Sequence, residues 1–303
     1  MNYLILTPDG VGSTILQRLL TIALSLEKVP AVNTHELTNG IDLTKTNSIL
    51  KKLPPTYLQD LKTIENILLQ CDKKLDIVSR LAKYHMDIRQ DQQKNADEFY
   101  KFCNKFFKRR IICLRKNIFE YAMSWSIREQ SGVLNIYKRE DRKKVLSVTK
   151  VDEDYFLKKC QEYVQYITWT ENNFSVTDKV YYEDLITNTD TVIDKLTGYS
   201  KTFEKTLNSP LFKVLQTEYN FINNSPLDKK TIIPLVKYKR IANDLEDNNI
   251  IPNHPIKNST LFDKKAQISN FQNCLDKFYV FAKNHNWINQ SNATFDFWSN
   301  RDV

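Results

Sequence analysis

The sequence contains few of the residues on which several common functional sites depend. Among its 303 residues are only five cysteines and four histidines, and no two cysteines form a CxxC pair. Because no group of cysteines and histidines has zinc-binding spacing, the sequence excludes a structural zinc domain and predicts no metal site. Five scattered cysteines, an odd number, favour free thiols in a reducing compartment over a disulfide framework.

Two further absences concern the membrane and the cell compartment. No apolar run is long enough to cross a bilayer. The first strand-like segment begins close to the first residue, which leaves no room for a signal peptide ahead of it. These two absences predict a cytoplasmic protein that does not enter the membrane.

The charge of the chain favours an anionic ligand. The net charge is +8, from 44 basic and 36 acidic residues, which suits a nucleotide or another acidic molecule. No compact run of lysines and arginines with interleaved aromatic residues is present. We therefore predict no nucleic-acid partner.

Strand-like and helix-like segments alternate along the first two thirds of the chain. The apolar runs predicted as strands are residues 3–6, 29–33, 75–81, 110–114 and 179–182. This alternation predicts an α/β fold with a mainly parallel central sheet and helices on both faces. We predict one domain over residues 1–303, with a nucleotide-binding core at 1–198 and a loop-rich and helical C-terminal extension at 199–303. The last helix of that extension is predicted over residues 268–285.

The segment after the first strand has the layout of a P-loop-like phosphate-binding loop. It reads TPDGVGST over residues 7–14, here called the glycine loop, and it leads into a helical pattern. Glycines let backbone amides approach an anion closely, and a helix start adds free N–H groups and the positive end of the helix dipole. The predicted ligands of the anion are Gly10, Val11, Gly12, Ser13 and Thr14. The alternative is a turn and a capping serine without a ligand.

A second polar stretch follows the fourth predicted strand. Arg115 ends that strand, and Ser124 lies in the helix that comes next. An arginine at a strand end can form two hydrogen bonds to a phosphate, and Ser124 reaches the same anion if its helix face turns toward the sheet. The alternative is a surface arginine and a helical serine without a ligand. Because ligands bind at the carboxyl ends of parallel strands, one anion is expected to contact both stretches.

Together, these stretches resemble the sulfotransferases that use 3′-phosphoadenosine-5′-phosphosulfate (PAPS). The sequence GST at residues 12–14 matches the end of that family's 5′-phosphosulfate loop. The family binds the 3′-phosphate through an arginine at a strand end and a serine eight residues later. Here Arg115 lies nine residues before Ser124 and Lys116 lies eight before it, and this difference of one residue leaves open which base binds the phosphate. We favour Arg115. The sequence YYEDL at residues 181–185 is similar to a third, mostly structural family stretch.

The resemblance implies a transferase that moves a sulfuryl group from PAPS to a hydroxyl or amine of a small-molecule or glycan acceptor, without a metal. A general base must remove the acceptor proton, and histidine suits this role at neutral pH. His85 is the first choice, because the cytosolic branch of the family has its catalytic histidine at the corresponding place. His35 and Glu36, predicted to lie in a polar loop after the second strand, are the other candidates.

The chain departs from the family at Gly10. The family's loop usually has lysine or arginine there, a cation that offsets the charge of the departing phosphate. The residues considered as replacements are Arg18, Lys237, Lys239, Arg240 and Lys257. One alternative function is a nucleotide-binding protein that has lost the chemistry. A second is an ATP- and magnesium-dependent phosphotransferase, which the absence of a lysine directly before Ser13 disfavours.

Overall fold

The computed structural model describes residues 1–27, 31–37, 61–72, 76–83, 86, 96–133, 139–199 and 264–285. These residues belong to two compact units. The first unit comprises Met1–Leu114 and Thr168–Pro255, and the second comprises Arg115–Ile167 and Ile256–Val303. The single domain predicted over the whole chain stays a prediction.

The first unit contains a parallel β-sheet. Its strands are β1 (Tyr3–Leu6), β2 (Ala31–Glu36), β3 (Asp76–Leu81), β4 (Arg109–Leu114) and β5 (Asp178–Tyr181). The order across the sheet is β2-β3-β1-β4-β5, and each neighbouring pair is parallel. The predicted α/β class with a parallel central sheet is therefore confirmed.

Burial explains why the central strands were recognisable from the sequence. All four residues of β1 are buried, and so are the last four of β4, Ile111 to Leu114. Strands of a parallel sheet are covered on both faces, so they consist of nearly continuous apolar runs. β1 pairs with both β3 and β4, which makes it an interior strand of the sheet.

The second strand differs from its prediction. β2 spans Ala31–Glu36, so the backbone of His35 and Glu36 belongs to a strand and the predicted polar loop at these residues is wrong. The strand is held by its pairing with β3, in which Val32 is opposite Ile77, and the register shifts between Asn33 and Glu36. Hydrogen bonds to a neighbouring strand thus bring a polar sequence into the sheet, against its local pattern.

Helices connect the strands and make up most of the described residues of the second unit. In chain order they are α1 (Ser13–Glu27), α2 (Leu61–Asp72), α3 (Ala96–Phe106), α4 (Ile118–Ser131), α5 (Arg139–Leu146), α6 (Glu153–Asn173), α7 (Tyr182–Thr187), α8 (Thr189–Thr197), α9 (Lys264–Gln267) and α10 (Phe271–Asn284). The last of these begins at Phe271 rather than at the predicted residue 268. In the segments that the structure describes, none of the helices combines the length and apolar character needed to cross a bilayer.

An aromatic cluster forms the core of the second unit. The ring of Phe119 on α4 lies 5.3 Å from that of Phe156 on α6, 5.0 Å from that of Phe271 and 5.6 Å from that of Phe278 on α10. These rings meet edge to face, the favoured geometry for aromatic pairs. The cluster joins α4, α6 and α10, and so it fixes the helix that carries Ser124.

Candidate functional site

The glycine loop lies in the first unit and begins where β1 leaves the sheet. The N–H of Thr7 donates to the carbonyl of Leu81 on β3, at 3.2 Å. Gly10 and Gly12 have φ angles of 82° and 76°, in the left-handed region that glycine enters at little cost. Helix α1 then begins at Ser13. The backbone therefore passes from strand to helix through a turn that depends on its two glycines.

Gly12 is also the point at which the loop approaches helix α7. A Cβ atom at residue 12 would lie 2.7 Å from Cδ2 of Tyr182 and 3.9 Å from Cδ2 of Leu185. The side chains of Tyr182 and Leu185 are buried. The YYEDL stretch therefore packs directly against the glycine loop, and only a residue without a side chain fits between them.

Ser13 is bound by an arginine that the sequence reasoning missed. Arg80 lies on β3, and its Nη1 donates to Oγ of Ser13 at 3.1 Å. Both side chains are buried, with exposed fractions of 5% for Arg80 and 3% for Ser13. The available signal was a charged residue near the carboxyl end of a predicted buried strand, since such residues are seldom buried unless they have a partner.

Cys113 on β4 contacts the glycine loop at Val11. Its Sγ donates to the carbonyl of Val11 at 3.3 Å. Burial raises the pKa of the Cys113 thiol to about 12, while the positive charge of Arg80 opposes this shift and the negative charge of Glu183 adds to it. The thiol is therefore protonated at neutral pH and serves as a hydrogen-bond donor to the loop rather than as a nucleophile.

Other predicted site residues lie where the structure describes only the backbone, or outside the described ranges. For Thr14 and Arg18 in α1, and for His35 and Glu36 in β2, the structure describes the backbone alone. The residues that lie outside the described ranges are His85, Lys237, Lys239, Arg240 and Lys257. The roles predicted for all of these residues stay predictions.

In the second unit, Arg115 is held by its backbone. Its N–H donates to the hydroxyl oxygen of Tyr163 at 2.7 Å, and that hydroxyl donates to the Arg115 carbonyl at 3.0 Å. Tyr163 lies on α6 and is fully buried, and the Arg115 side chain is only 7% exposed. Lys116, the alternative base, is half-buried. One hydroxyl thus satisfies both backbone groups of Arg115.

We expect Tyr163→Phe to lower the free energy of unfolding by roughly 2 kcal/mol, because it leaves a buried N–H and a buried carbonyl without their partner. Urea-induced unfolding measures this change. The control is Tyr155→Phe on the same helix, which removes one hydrogen bond from a half-buried hydroxyl to Glu129. Equal losses of stability in the two variants would contradict a special role for Tyr163.

Ser124 contacts a buried lysine from the late part of the chain. Helix α4 begins after Asn117, whose Oδ1 accepts a hydrogen bond from the N–H of Glu120 at 2.9 Å. Nζ of Lys264 donates to Oγ of Ser124 at 2.9 Å and forms an ion pair with Glu120. Glu120 and Ser124 are four residues apart on α4, so they share one face of the helix. The Lys264 side chain is only 6% exposed.

The surroundings of Lys264 are positively charged. Burial lowers the pKa of its ammonium group, the pairing with Glu120 opposes that change, and the charges of Arg115 and Arg128 lower the pKa further. Arg115 and Ser124, the two residues predicted to bind one phosphate, thus both act on Lys264. We call Arg115, Glu120, Ser124 and Lys264 the Lys264 cluster. Its buried basic groups provide charged hydrogen-bond donors of the kind that bind an anion.

Comparisons with protein-family models, with curated proteins and with solved structures found no match to this chain. In the described ranges, no three His, Cys, Asp or Glu side chains are grouped as metal ligands. The glycine loop and the Lys264 cluster nevertheless share one arrangement. In each, a serine accepts a hydrogen bond from a buried basic side chain, Arg80 for Ser13 and Lys264 for Ser124.

Proposed function

We propose that the protein is a sulfotransferase that uses PAPS as its donor. The observation that carries the proposal is that both serines assigned to phosphate binding accept a hydrogen bond from a buried cation. A serine hydroxyl has one proton and two lone pairs. Because the cation occupies a lone pair, the proton of each hydroxyl is left to donate to an anion.

Each group of residues is assigned to one charged end of the donor. The glycine loop, with its P-loop-like layout, takes the 5′-phosphosulfate. The Lys264 cluster takes the 3′-phosphate, a monoester with roughly two negative charges at neutral pH. Arg115 and Lys264 supply positive charge for that phosphate, and Ser124 supplies a hydroxyl donor. Lys264 belongs to the proposed C-terminal extension, residues 199–303.

The proposed reaction is a direct transfer. The acceptor oxygen or nitrogen attacks sulfur, and the bond between sulfur and the bridging phosphate oxygen breaks with its electron pair leaving on 3′-phosphoadenosine-5′-phosphate. The acceptor proton passes to a general base, for which we propose His85. Positive charge and hydrogen-bond donors at the glycine loop offset the charge that develops on the leaving phosphate.

Calorimetric titration with 3′-phosphoadenosine-5′-phosphate tests the proposal. We expect micromolar binding that is lost in Arg115→Ala and in Ser124→Ala but is kept in Lys108→Ala, a control at an exposed lysine of the first unit. Titration with ATP and magnesium is run alongside, and no binding is expected. Failure of the folded wild type to bind the bisphosphate rejects the proposal. Binding of ATP in its place supports a phosphotransferase, and bisphosphate binding without sulfuryl transfer supports a non-catalytic nucleotide-binding protein.

A further inference from the structure

We propose that Arg80 supplies, through Ser13, the positive charge that the glycine loop lacks at Gly10. The inference rests on the proposed function, because it assigns a positioning residue to the site for the 5′-phosphosulfate. Arg80 was not among the sequence-based replacements. It is selected because its guanidinium donates to the hydroxyl at the start of helix α1.

Arg80 reaches the glycine loop from the neighbouring strand. It is the register partner of Ile5 on β1, and the next residue of β3, Leu81, accepts the hydrogen bond from the N–H of Thr7. The side chain therefore starts level with Ile5, one residue before the end of β1 and two residues before the glycine loop. From there Nη1 lies 3.1 Å from Oγ of Ser13. A residue 67 positions away in the chain thus makes a direct side-chain contact with the loop.

The hydrogen bond determines what the Ser13 hydroxyl can do. Nη1 of Arg80 is a charged donor that occupies one lone pair of Oγ, so the hydroxyl proton must point elsewhere. A charged donor also polarises the O–H group that it contacts, which makes this group a stronger donor in turn. An arginine guanidinium carries its positive charge at neutral pH. The charge of Arg80 therefore makes the Ser13 hydroxyl a stronger hydrogen-bond donor to an anion.

The field of Arg80 acts on a second contact of the loop. Cys113 donates a hydrogen bond to the carbonyl of Val11. Burial raises the pKa of the Cys113 thiol, and the positive charge of Arg80 lowers it. The negative charge of Glu183 acts on the same thiol in the opposite direction. Glu36 of β2 is the register partner of Arg80 on the other side of β3. The proposed effect of Arg80 on the anion passes through the hydroxyl of Ser13. It predicts that substitutions of Arg80 and Ser13 have coupled effects on anion affinity.

A double-mutant cycle with Arg80→Met and Ser13→Ala measures this coupling. Calorimetry with 3′-phosphoadenosine-5′-phosphate gives the affinity of the wild type, both single variants and the double variant. We expect each single substitution to weaken binding roughly tenfold to a hundredfold, the range for a hydrogen bond that involves a charge. The double variant should bind about as weakly as the weaker single variant, because Arg80 acts through Ser13. Arg80→Lys, which keeps a charged donor, should restore part of the affinity.

The outcomes separate this inference from the proposed function. If the folded wild type does not bind the bisphosphate, the proposed function fails and the inference fails with it. A second outcome is that the wild type binds and the loss of affinity in the double variant equals the product of the losses in the two single variants. In that case Arg80 acts independently of Ser13, and only the inference is overturned. Unchanged affinity in Arg80→Met overturns it as well. Thermal unfolding identifies variants that do not fold, and if Arg80→Met is among them, the same cycle with Arg80→Lys and Ser13→Ala decides.

Discussion

Replacing Gly12 by alanine should lower the free energy of unfolding by roughly 3 kcal/mol, the largest stability change that we expect from one substitution. Two costs add at this position. The φ angle of 76° lies in the left-handed region, which a residue with a Cβ atom enters at a cost. The new Cβ atom would also lie 2.7 Å from the buried ring of Tyr182, so this ring or the glycine loop must move. Denaturant-induced unfolding measures the sum of the two costs.

Gly198 provides a matched control for the backbone part of this cost. Its φ angle is 75°, and no atom lies within 4 Å of the position that a Cβ atom would take. Gly198→Ala should therefore cost about 1 kcal/mol, from the left-handed backbone alone. The difference between the two variants measures the contact between the glycine loop and α7. Similar losses in both would mean that Tyr182 moves aside freely and that the packing against the loop is loose.

Replacing Lys264 by methionine should weaken the binding of 3′-phosphoadenosine-5′-phosphate roughly a hundredfold. The substitution keeps a long apolar side chain in the buried position but removes the ammonium that contacts Ser124. It also leaves the Glu120 carboxylate without its ion-pair partner, next to the site proposed for the 3′-phosphate. Calorimetric titration measures the affinity of both proteins. The control is Lys265→Met at the adjacent exposed lysine of α9, and an equal loss there would contradict a specific role for Lys264.

The affinity for the bisphosphate should also fall when the pH rises from neutral toward 10.5, the ordinary pKa of lysine. Burial lowers the pKa of Lys264, as do Arg115 and Arg128, while Glu120 opposes the shift. The ammonium is therefore lost at a lower pH than in an exposed lysine, and anion binding weakens as the pH passes through the lowered value. Stability responds to pH in the opposite direction. As the pH rises toward 10.5, Lys264 loses its proton more readily in the folded protein than in the unfolded chain, so its contribution to the free energy of unfolding increases. Titrations at increasing pH measure the change in affinity, which Lys264→Met should lack.

The sequence predicted those elements of the fold that show in their own residues, and it was less accurate for elements that depend on contacts with distant segments. β1 and β4 are buried on both faces, so their apolar runs identified them without reference to the rest of the chain. The end of the polar strand β2 was predicted three residues too early, because its pairing with β3 brings His35 and Glu36 into the sheet. A single sequence contains no direct information about which strand will pair with β2.

The same distinction applies to the candidate site. Gly12, Ser13, Arg115 and Ser124 were selected because each belongs to a short pattern that follows a strand. The cations that contact the two serines were missed, since Arg80 is 67 residues from Ser13 and Lys264 is 140 residues from Ser124. Each looks in the sequence like an ordinary basic residue. Folding determines which polar group meets which cation, and this pairing gives the two serines their proposed role.

The buried thiols make it possible to follow the opening of each unit separately. Cys103 and Cys113 lie in the first unit, Cys160 and Cys274 lie in the second, and all four are free and fully buried. Burial raises the pKa of each of these thiols, so neither exposure nor thiolate chemistry makes them reactive in the folded protein. An alkylating reagent reaches them only after local or global unfolding. The order in which the two pairs are labelled in mild denaturant therefore reports whether the unit with the sheet and the unit with Lys264 unfold as one cooperative body or as two.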